Sequence, residues 1–600
     1  MKKKENSFFE ILKFCFKITY NTSKLYFWLF LIVSIISVII PFGNIYIGSK
    51  IIDYLVSNEG AFDVKGSNLI YGLLMIFVFS VIIQFSGKLM SYIAQYIQSV
   101  FNDKIDSRTK LMTMQKTSSL KMQNYDNPEF FDAINDVNMN CSIVISVCFM
   151  CFDFTINLVQ FVIAMIKIMT FNWYMPLIII IAMIPSVIIK QKQMNTIYSF
   201  QFDHLEESRS MYYVTDIALL SECAQDIRIY GLFPFLRKRF LDVWSKLFDE
   251  KKKIVKKYTI LLCILDIIPL LATCVFWLLI AVEVFKGILS VGEYTLYEGM
   301  LGQAIAAVSI VFSAYTQIYD GKIRITNFKA FLAREDVYDE TDEKAEFNDK
   351  KFTIEFRNVS FKYFGCDDYV LNNISFKIKS DEKNALVGVN GSGKTSIIKL
   401  LLRLYEPDEG EILINGKNVN EYSIESIRKC FSPMFQNYFN YAFMAKEDIA
   451  LSDLEHENDL DAIINASKKS GSHEFIDEFE DKYETYLSRQ FGDGRELSGG
   501  QWQKVALARA FFREAEIYIL DEPSAALDAE SEDQLISKFE ELYKDKGAIL
   551  VSHRLSNVKN CDKIIVIDAG VIIEEGTHQE LMELDGKYAH MYNLQAQKYL

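Results

Sequence analysis

Ala385-Leu386-Val387-Gly388-Val389-Asn390-Gly391-Ser392-Gly393-Lys394-Thr395-Ser396 is the stretch on which the fold of the second half of this chain turns. The three leading apolar residues predict a buried strand, and Ser396–Leu404 predicts a helix. Between them stands G-x-x-x-x-G-K-[ST], in the strand–loop–helix setting that gives the pattern its meaning. Gly388, Gly391 and Gly393, with Asn390 and Ser392, let backbone N–H groups wrap an anion where a helix begins and its dipole is positive. Lys394 would reach the β- and γ-phosphates, Thr395 would ligate Mg²⁺, and Ser396 completes the cradle.

Further along, Ile517-Tyr518-Ile519-Leu520-Asp521-Glu522 predicts an apolar strand that ends in two acids. Asp521 suits Mg²⁺, directly or through water. Glu522 can orient an attacking water and take its proton, which makes it the candidate general base. A strand capped by Asp-Glu says little alone; 127 residues beyond the loop lysine it says much more. Between the two lies Leu497-Ser498-Gly499-Gly500-Gln501, followed by a predicted helix over Trp502–Arg513.

The order of these three motifs resembles the ATP-binding cassette (ABC) family, over roughly residues 352–597. The resemblance implies roles for further residues. Tyr363 fits the aromatic that stacks on adenine. Gln436 fits the glutamine that senses Mg²⁺ and the membrane domain, Asp528 the aspartate of the loop after the acidic strand, and His553 the histidine that contacts the γ-phosphate. Two positions depart from the family pattern: Asn437 stands where an acid is common, and Ala525 where Ser is usual. In that family, ATP held at Lys394 of one cassette is completed by Ser498, Gly499, Gly500 and Gln501 of a second. One chain has one of each motif, so a second half-transporter is implied. A homodimer is the simpler case because Glu522 and His553 are both present; a heterodimer stays open.

Upstream the composition changes. Residues 1–340 sum to +3 and residues 341–600 to −17, within a chain that is 50% hydrophobic. No concentrated basic face is present, which argues against nucleic acid as a partner. Leu25–Ser49, Ser67–Gly87, Ile168–Ile189 and Gly299–Tyr319 are free of charge. Cys141–Ile166 and Tyr258–Val282 are each broken by one acid, Asp153 and Asp266. Each run has about the 20 apolar residues that a bilayer crossing needs, so six spans are expected. Cys148 and Cys151 form a C-x-x-C inside one of them and read as small packing residues. The N-terminal arm (1–24) and the loop 190–257 each carry +4, whereas 51–66 and 283–298 carry −2 each. Basic excess marks the cytoplasmic side, so both termini and both long loops are expected inside, in a bacterial cell membrane.

The long loops 88–142 and 190–257 are rich in helix formers and read as extensions of the membrane helices. The fold class expected is an all-α six-helix transmembrane domain with long cytoplasmic extensions (1–333), a charged linker (334–351), then an α/β P-loop NTPase domain (352–600). Six spans ahead of one cassette resemble a half-size ABC exporter, and the 496–528 block looks most like exporters of lantibiotic-type peptides and their multidrug relatives. In such exporters loop-tip helices dock on the cassettes; Asn124–Phe131 and Ala224–Leu232 fit them. No peptidase domain precedes the spans, so leader cleavage is not expected. The function implied is ATP-driven export of an amphipathic substrate, with a lipid flippase as the alternative and an ATP-gated regulator behind both. Asp153, Asn157, Gln160, Ala164 and Lys167 fall on one helical stripe. Asp153 and Asp266 could attract a cationic cargo; the other reading puts Asp153 on the cytoplasmic extension and lets Lys167 snorkel outward.

Lys394→Ala removes the cation that offsets phosphate charge, and ATP binding and transport should both collapse. Tyr363→Ala should cost less, because stacking on a base contributes ~1–3 kcal/mol. Titration of each variant with a fluorescent ATP analogue checks the order.

Overall fold

The computed structural model describes residues 8–58, 62–140, 143–338, 344–523, 546–552 and 554–597. By contacts the chain divides into two compact units, 1–115 with 133–333 and 116–132 with 334–600.

The first unit is helical. Its elements are α1 (Phe8–Thr22), α2 (Lys24–Ser57), α3 (Phe62–Ser119), α4 (Pro128–Asn140), α5 (Ile143–Phe171), α6 (Met175–Asp203), α7 (Leu205–Leu219), α8 (Ala224–Ile229), α9 (Phe233–Leu265), α10 (Ile267–Phe285) and α11 (Val291–Leu332). The last residues of α3 and the first of α4 belong to the other unit. Among the described residues, six stretches are long and apolar enough to cross a membrane: Lys24–Ser57, Leu69–Ser119, Ile143–Phe171, Met175–Gln201, Phe233–Phe285 and Val291–Leu332. Each of the six runs expected from the sequence falls largely within one of them, Ile168–Ile189 also taking in the end of α5 and the turn before α6. The two long loops are mostly helix, as their composition predicts, with breaks between α3 and α4, at His204 and on either side of α8. The chain is a multi-pass membrane protein.

The packing follows the bilayer's logic. Side chains such as Phe79 and Val81 point outward, as lipid-facing residues do. Small, aliphatic and aromatic residues fill the helix contacts: Ala164, Ile168, Phe276, Leu301 and Ala304 bring α5, α10 and α11 together, and Phe30, Phe101 and Phe149 do the same for α2, α3 and α5. The polar stripe of α5 faces inward. Asn157, Gln160 and Ala164 are buried. Gln303 Nε2 of α11 donates to Gln160 Oε1 at 2.9 Å, and Gln160 Nε2 donates to the Ser37 carbonyl of α2 at 3.3 Å. Lys167 stands 5.3 Å from the centre of the Tyr297 ring. Asp266, where α9 passes into α10, accepts a 2.7 Å hydrogen bond from Ser186 Oγ of α6. An apolar groove of 770 Å³ opens among α1, α2, α5 and α11, lined by Phe16, Ile35, Phe152, Thr155 and Tyr315 among others. Neither Asp153 nor Asp266 lines it.

The second unit is α/β. β1 (Thr353–Phe361), β2 (Leu371–Lys379), β4 (Glu409–Ile414) and β5 (Lys417–Asn418) make an antiparallel sheet in the order β2-β1-β4-β5. β3 (Lys383–Val387), β6 (Phe431–Met434), β7 (Ile517–Asp521), β8 (Gly547–Val551), β9 (Lys563–Asp568) and β10 (Val571–Gly576) make the second, in the order β10-β9-β3-β8-β7-β6. All its pairings are parallel except β9 with β10. The helices here are α12 (Lys394–Leu401), α13 (Ile424–Lys429), α14 (Ala445–Ala450), α15 (Leu460–Ser470), α16 (His473–Asp477), α17 (Gly499–Phe512), α18 (His578–Glu583) and α19 (Lys587–Ala596). Ile397, Ile398 and Leu401 of α12 are buried with Phe356, Phe361 and Ile565 of the two sheets. That packing fixes where α12 begins, and with it the glycine loop.

The Gln160–Gln303 bond is the test of the inward stripe. A double-mutant cycle with Gln160→Leu and Gln303→Leu, read as thermal unfolding in detergent, should give a coupling of about 0.6 kcal/mol and no more than ~1.7. Additive effects would mean that the two amides do not support one another.

Candidate functional site

The carboxyl ends of β3, β8 and β7 lie side by side in the parallel sheet, the edge at which ligands of open α/β sheets collect. β3 stops at Val387, and residues 388–393 turn the chain back into α12. Two glycines are there for want of a Cβ. Gly393 has φ +108° and a Cβ on it would stand 2.5 Å from Leu371; one on Gly388 would stand 2.2 Å from the Ile567 carbonyl oxygen.

Lys394 is only 6% exposed and folds over this turn, Nζ donating to the carbonyls of Gly388 and Val389 at 2.9 Å each. Burial pulls its pKa down, while the Glu522 and Asp521 carboxylates push the other way. Ser392 Oγ is buried in the same loop with no hydrogen-bond partner. A glycine turn at a helix N-terminus, a buried cation and an unpaired hydroxyl together suit a chain of phosphates.

Thr395 Oγ1 donates to Asp521 Oδ2 at 3.0 Å, so the two oxygens expected around Mg²⁺ already touch. Burial raises the Asp521 pKa and Glu522 adds to that; the Thr395 hydrogen bond and Lys394 oppose it. Glu522 follows with φ +54°, a left-handed conformation uncommon in a residue with a side chain. Its N–H is tied to the Val551 carbonyl of β8 at 2.9 Å, and its Oε2 accepts from Gln436 Nε2 at 2.8 Å. Strain of this kind is characteristic of functional positions. The sequence motif carries no hint of it.

Tyr363 lies just past β1. Its hydroxyl meets Ser396 Oγ at 3.0 Å, and Lys399 Nζ stands 5.0 Å from its ring centre. Ser498 caps α17: its Oγ accepts from the Gln501 N–H at 3.3 Å, and Gln501 Oε1 accepts from the Ser498 N–H at 2.9 Å. This reciprocal capping holds Gly499 and Gly500 as the first turn of the helix. Asp528 and His553 lie outside the described residues.

Two contacts that support the site escaped the sequence reading. Tyr438 Oη donates to the Gly499 carbonyl at 3.3 Å, linking the segment after Gln436 to the α17 start. Arg509, further along α17, pairs with Asp448 of α14, whose side chain is wholly buried. Burial pushes the Asp448 carboxyl up and Arg509 opposes the shift. Partners 61 residues apart leave no local pattern to find.

The ABC transporter family profile matches residues 371–525, which contain the glycine loop, the capped helix and the Asp521-Glu522 strand end. The chain is an ABC transporter cassette fused to a membrane domain. An ABC cassette of this kind binds ATP and couples its hydrolysis to transport, and half-size ABC exporters generally act as dimers. The chain is similar along its length to the subtilin transport ATP-binding protein SpaT of Bacillus subtilis, 29% identical over 591 residues, covering 96% of this chain and 92% of the relative. The nisin transport ATP-binding protein NisT of Lactococcus lactis subsp. lactis is 26% identical over 589 residues, 96% of this chain and 94% of that one. An ATP-dependent lipid A-core flippase of Escherichia coli (strain K12) is 38% identical, over 242 residues that make up 40% of this chain and 41% of the flippase. Among solved structures, a bacterial Atm1-family ABC exporter with ATP bound has the same fold, with TM-score 0.78 and 19% identity, covering 94% of this chain and 99% of that one.

Arg509→Ala leaves the Asp448 carboxylate buried without its cation. Breaking a buried pair in this way should destabilise the ABC cassette by ~3–5 kcal/mol. The loss is readable as a fall in the thermal unfolding temperature of the purified transporter, partly restored when Asp448→Asn is added.

Proposed function

We propose that two copies of this chain form an ATP-driven exporter of an amphipathic peptide of the lantibiotic class. The ATP-driven part of this reading rests above all on one observation: a buried loop lysine, a Thr395–Asp521 pair and a Gln436–Glu522 pair converge on one sheet edge. In this reading Lys394 leaves the loop carbonyls for the β- and γ-phosphates, so two hydrogen bonds within the loop are exchanged for stronger, charge-assisted ones. Ser392 Oγ gains the partner it lacks. Thr395 and Asp521, with Gln436 close by, would hold Mg²⁺, which would supply positive charge against the phosphate oxygens. Glu522 takes the proton of the attacking water; the Gln436 amide holds its carboxylate in place meanwhile. The adenine ring lies on Tyr363, and Ser498, Gly499, Gly500 and Gln501 of the second copy close over the triphosphate. Asp528 and His553 act at the same interface.

The peptide class is favoured because similarity to the subtilin and nisin transport proteins runs through both domains, 96% of the chain. Likeness to the lipid A-core flippase is higher in identity but covers 40% of the chain, so it says less about the cargo path. A lipid substrate is the second reading. The membrane is the bacterial cell membrane, and both termini and the cassette are cytoplasmic, as the basic excess in 1–24 and 190–257 supports.

Glu522→Gln should leave ATP binding intact and lower turnover by about two to four orders of magnitude, the usual worth of a positioned base. A phosphate-release assay beside ATP binding checks this, and near-normal turnover would remove Glu522 from the role. For the cargo, purified transporter in liposomes should show ATP hydrolysis stimulated by a cationic lantibiotic precursor and not by lipid A. The reverse result would establish the flippase reading.

A further inference from the structure

Tyr405 sits between α12 and β4, 4% exposed. Its ring meets that of Tyr363 edge to face, centres 5.3 Å apart and planes at 83°. Lys399 Nζ reaches over both, 5.0 Å from the Tyr363 centre and 5.5 Å from the Tyr405 centre, and donates to Tyr363 Oη at 3.3 Å. The Tyr405 hydroxyl points the other way and donates to Asp126 Oδ1 at 3.2 Å. Asp126 belongs to the turn between α3 and α4, the tip of the first long loop, which clusters with the cassette in contacts. Its other oxygen, Oδ2, is buried with no hydrogen-bond partner. Next to Tyr405, Glu406 forms an ion pair with Lys121 of the same tip at 3.0 Å.

We propose that Tyr405 is a positioning residue that links the tip of the first long loop, through Asp126, to the adenine platform at Tyr363. The inference rests on the reading of Tyr363 as that platform. Close-packed rings do not move independently, so a base settling on Tyr363 constrains the Tyr405 ring and the bond it makes to Asp126. Burial and the Asp126 carboxylate also hold the Tyr405 phenol protonated, well above its ordinary range, so it stays a donor. The linkage is reciprocal: a tip that shifts when the helices of the membrane domain shift must change the affinity for the base by the same factor. The phosphates are held elsewhere, at the glycine loop. Only the part of ATP affinity that comes from adenine is therefore under the control of the tip.

The test compares two ligands in the full-length transporter in nanodiscs: the non-hydrolysable analogue AMP-PNP, and tripolyphosphate, which has no base, each with Mg²⁺. Tyr405→Phe keeps the ring and removes the hydroxyl; Asp126→Ala removes the acceptor; Asp126→Asn keeps one. Tyr405→Phe and Asp126→Ala should each weaken AMP-PNP about fivefold, the lower end of usual site-to-site coupling. Tripolyphosphate binding should not change, the double variant should be no worse than either single one, and Asp126→Asn should restore most of the loss. KM for ATP should rise with kcat within about twofold of wild type, since the loss is confined to ground-state and transition-state binding alike. Unchanged AMP-PNP affinity in both variants, an equal loss for tripolyphosphate, or additive single effects would overturn the proposal. Tyr363→Ala separates the two readings. If it weakens AMP-PNP while Tyr405→Phe does not, only the link to the tip fails; if it too is without effect, the platform itself is misassigned.

Discussion

Everything in the cassette is arranged around one awkward charge. Lys394 is nearly inaccessible to water, and a buried ammonium must be compensated where it stands. Two loop carbonyls do this by direct bonds, and Asp521 and Glu522 contribute through their field. Those acids can be near only because β7 and β3 flank β8 and end at the same edge. The carboxylates in turn need partners, which Thr395 and Gln436 provide. The result is a set of polar groups whose members satisfy one another. Glycine at 388 and 393 follows from the same constraint, since the loop must pass against Ile567 and Leu371 with no room for a side chain.

Much of this was legible in the sequence. The glycine loop names its own geometry, because phosphate binding demands small residues at fixed places before a helix. The six spans were legible because a bilayer imposes a length and an absence of charge, and the long helical loops because they hold few Gly or Pro. Ser498 and Gln501 could have been read as a helix start as well as a motif, since Ser three residues before Gln is a capping pattern. Asp153 and Asp266 were harder. Sequence places an acid in a span but not what faces it, and Asp266 faces the Ser186 hydroxyl.

What stayed hidden depends on partners far apart in the chain. Arg509 with Asp448, Tyr405 with Asp126 and Gln160 with Gln303 are joined across 61, 279 and 143 residues. No local periodicity encodes such pairs; they emerge only when sheet order and helix packing are known. The left-handed backbone of Glu522 was hidden for a different reason. It comes from the tie of its N–H to β8, a tertiary bond acting on a residue whose own preference is otherwise.

α3 runs unbroken for 58 residues, with no proline anywhere in it. At 1.5 Å per residue it is a rod of about 87 Å, nearly three times the thickness of the hydrocarbon layer. A rod that long has mechanical advantage. Tilting it by only ~5° about one end sweeps the other through about 8 Å, more than one turn of helix. The displacement needed to open a path for cargo can therefore be delivered by an angular change too small to disturb the side-chain packing along its length. Stiffness, more than any single contact, is what this element contributes, and inserting a proline near its middle would make it a hinge.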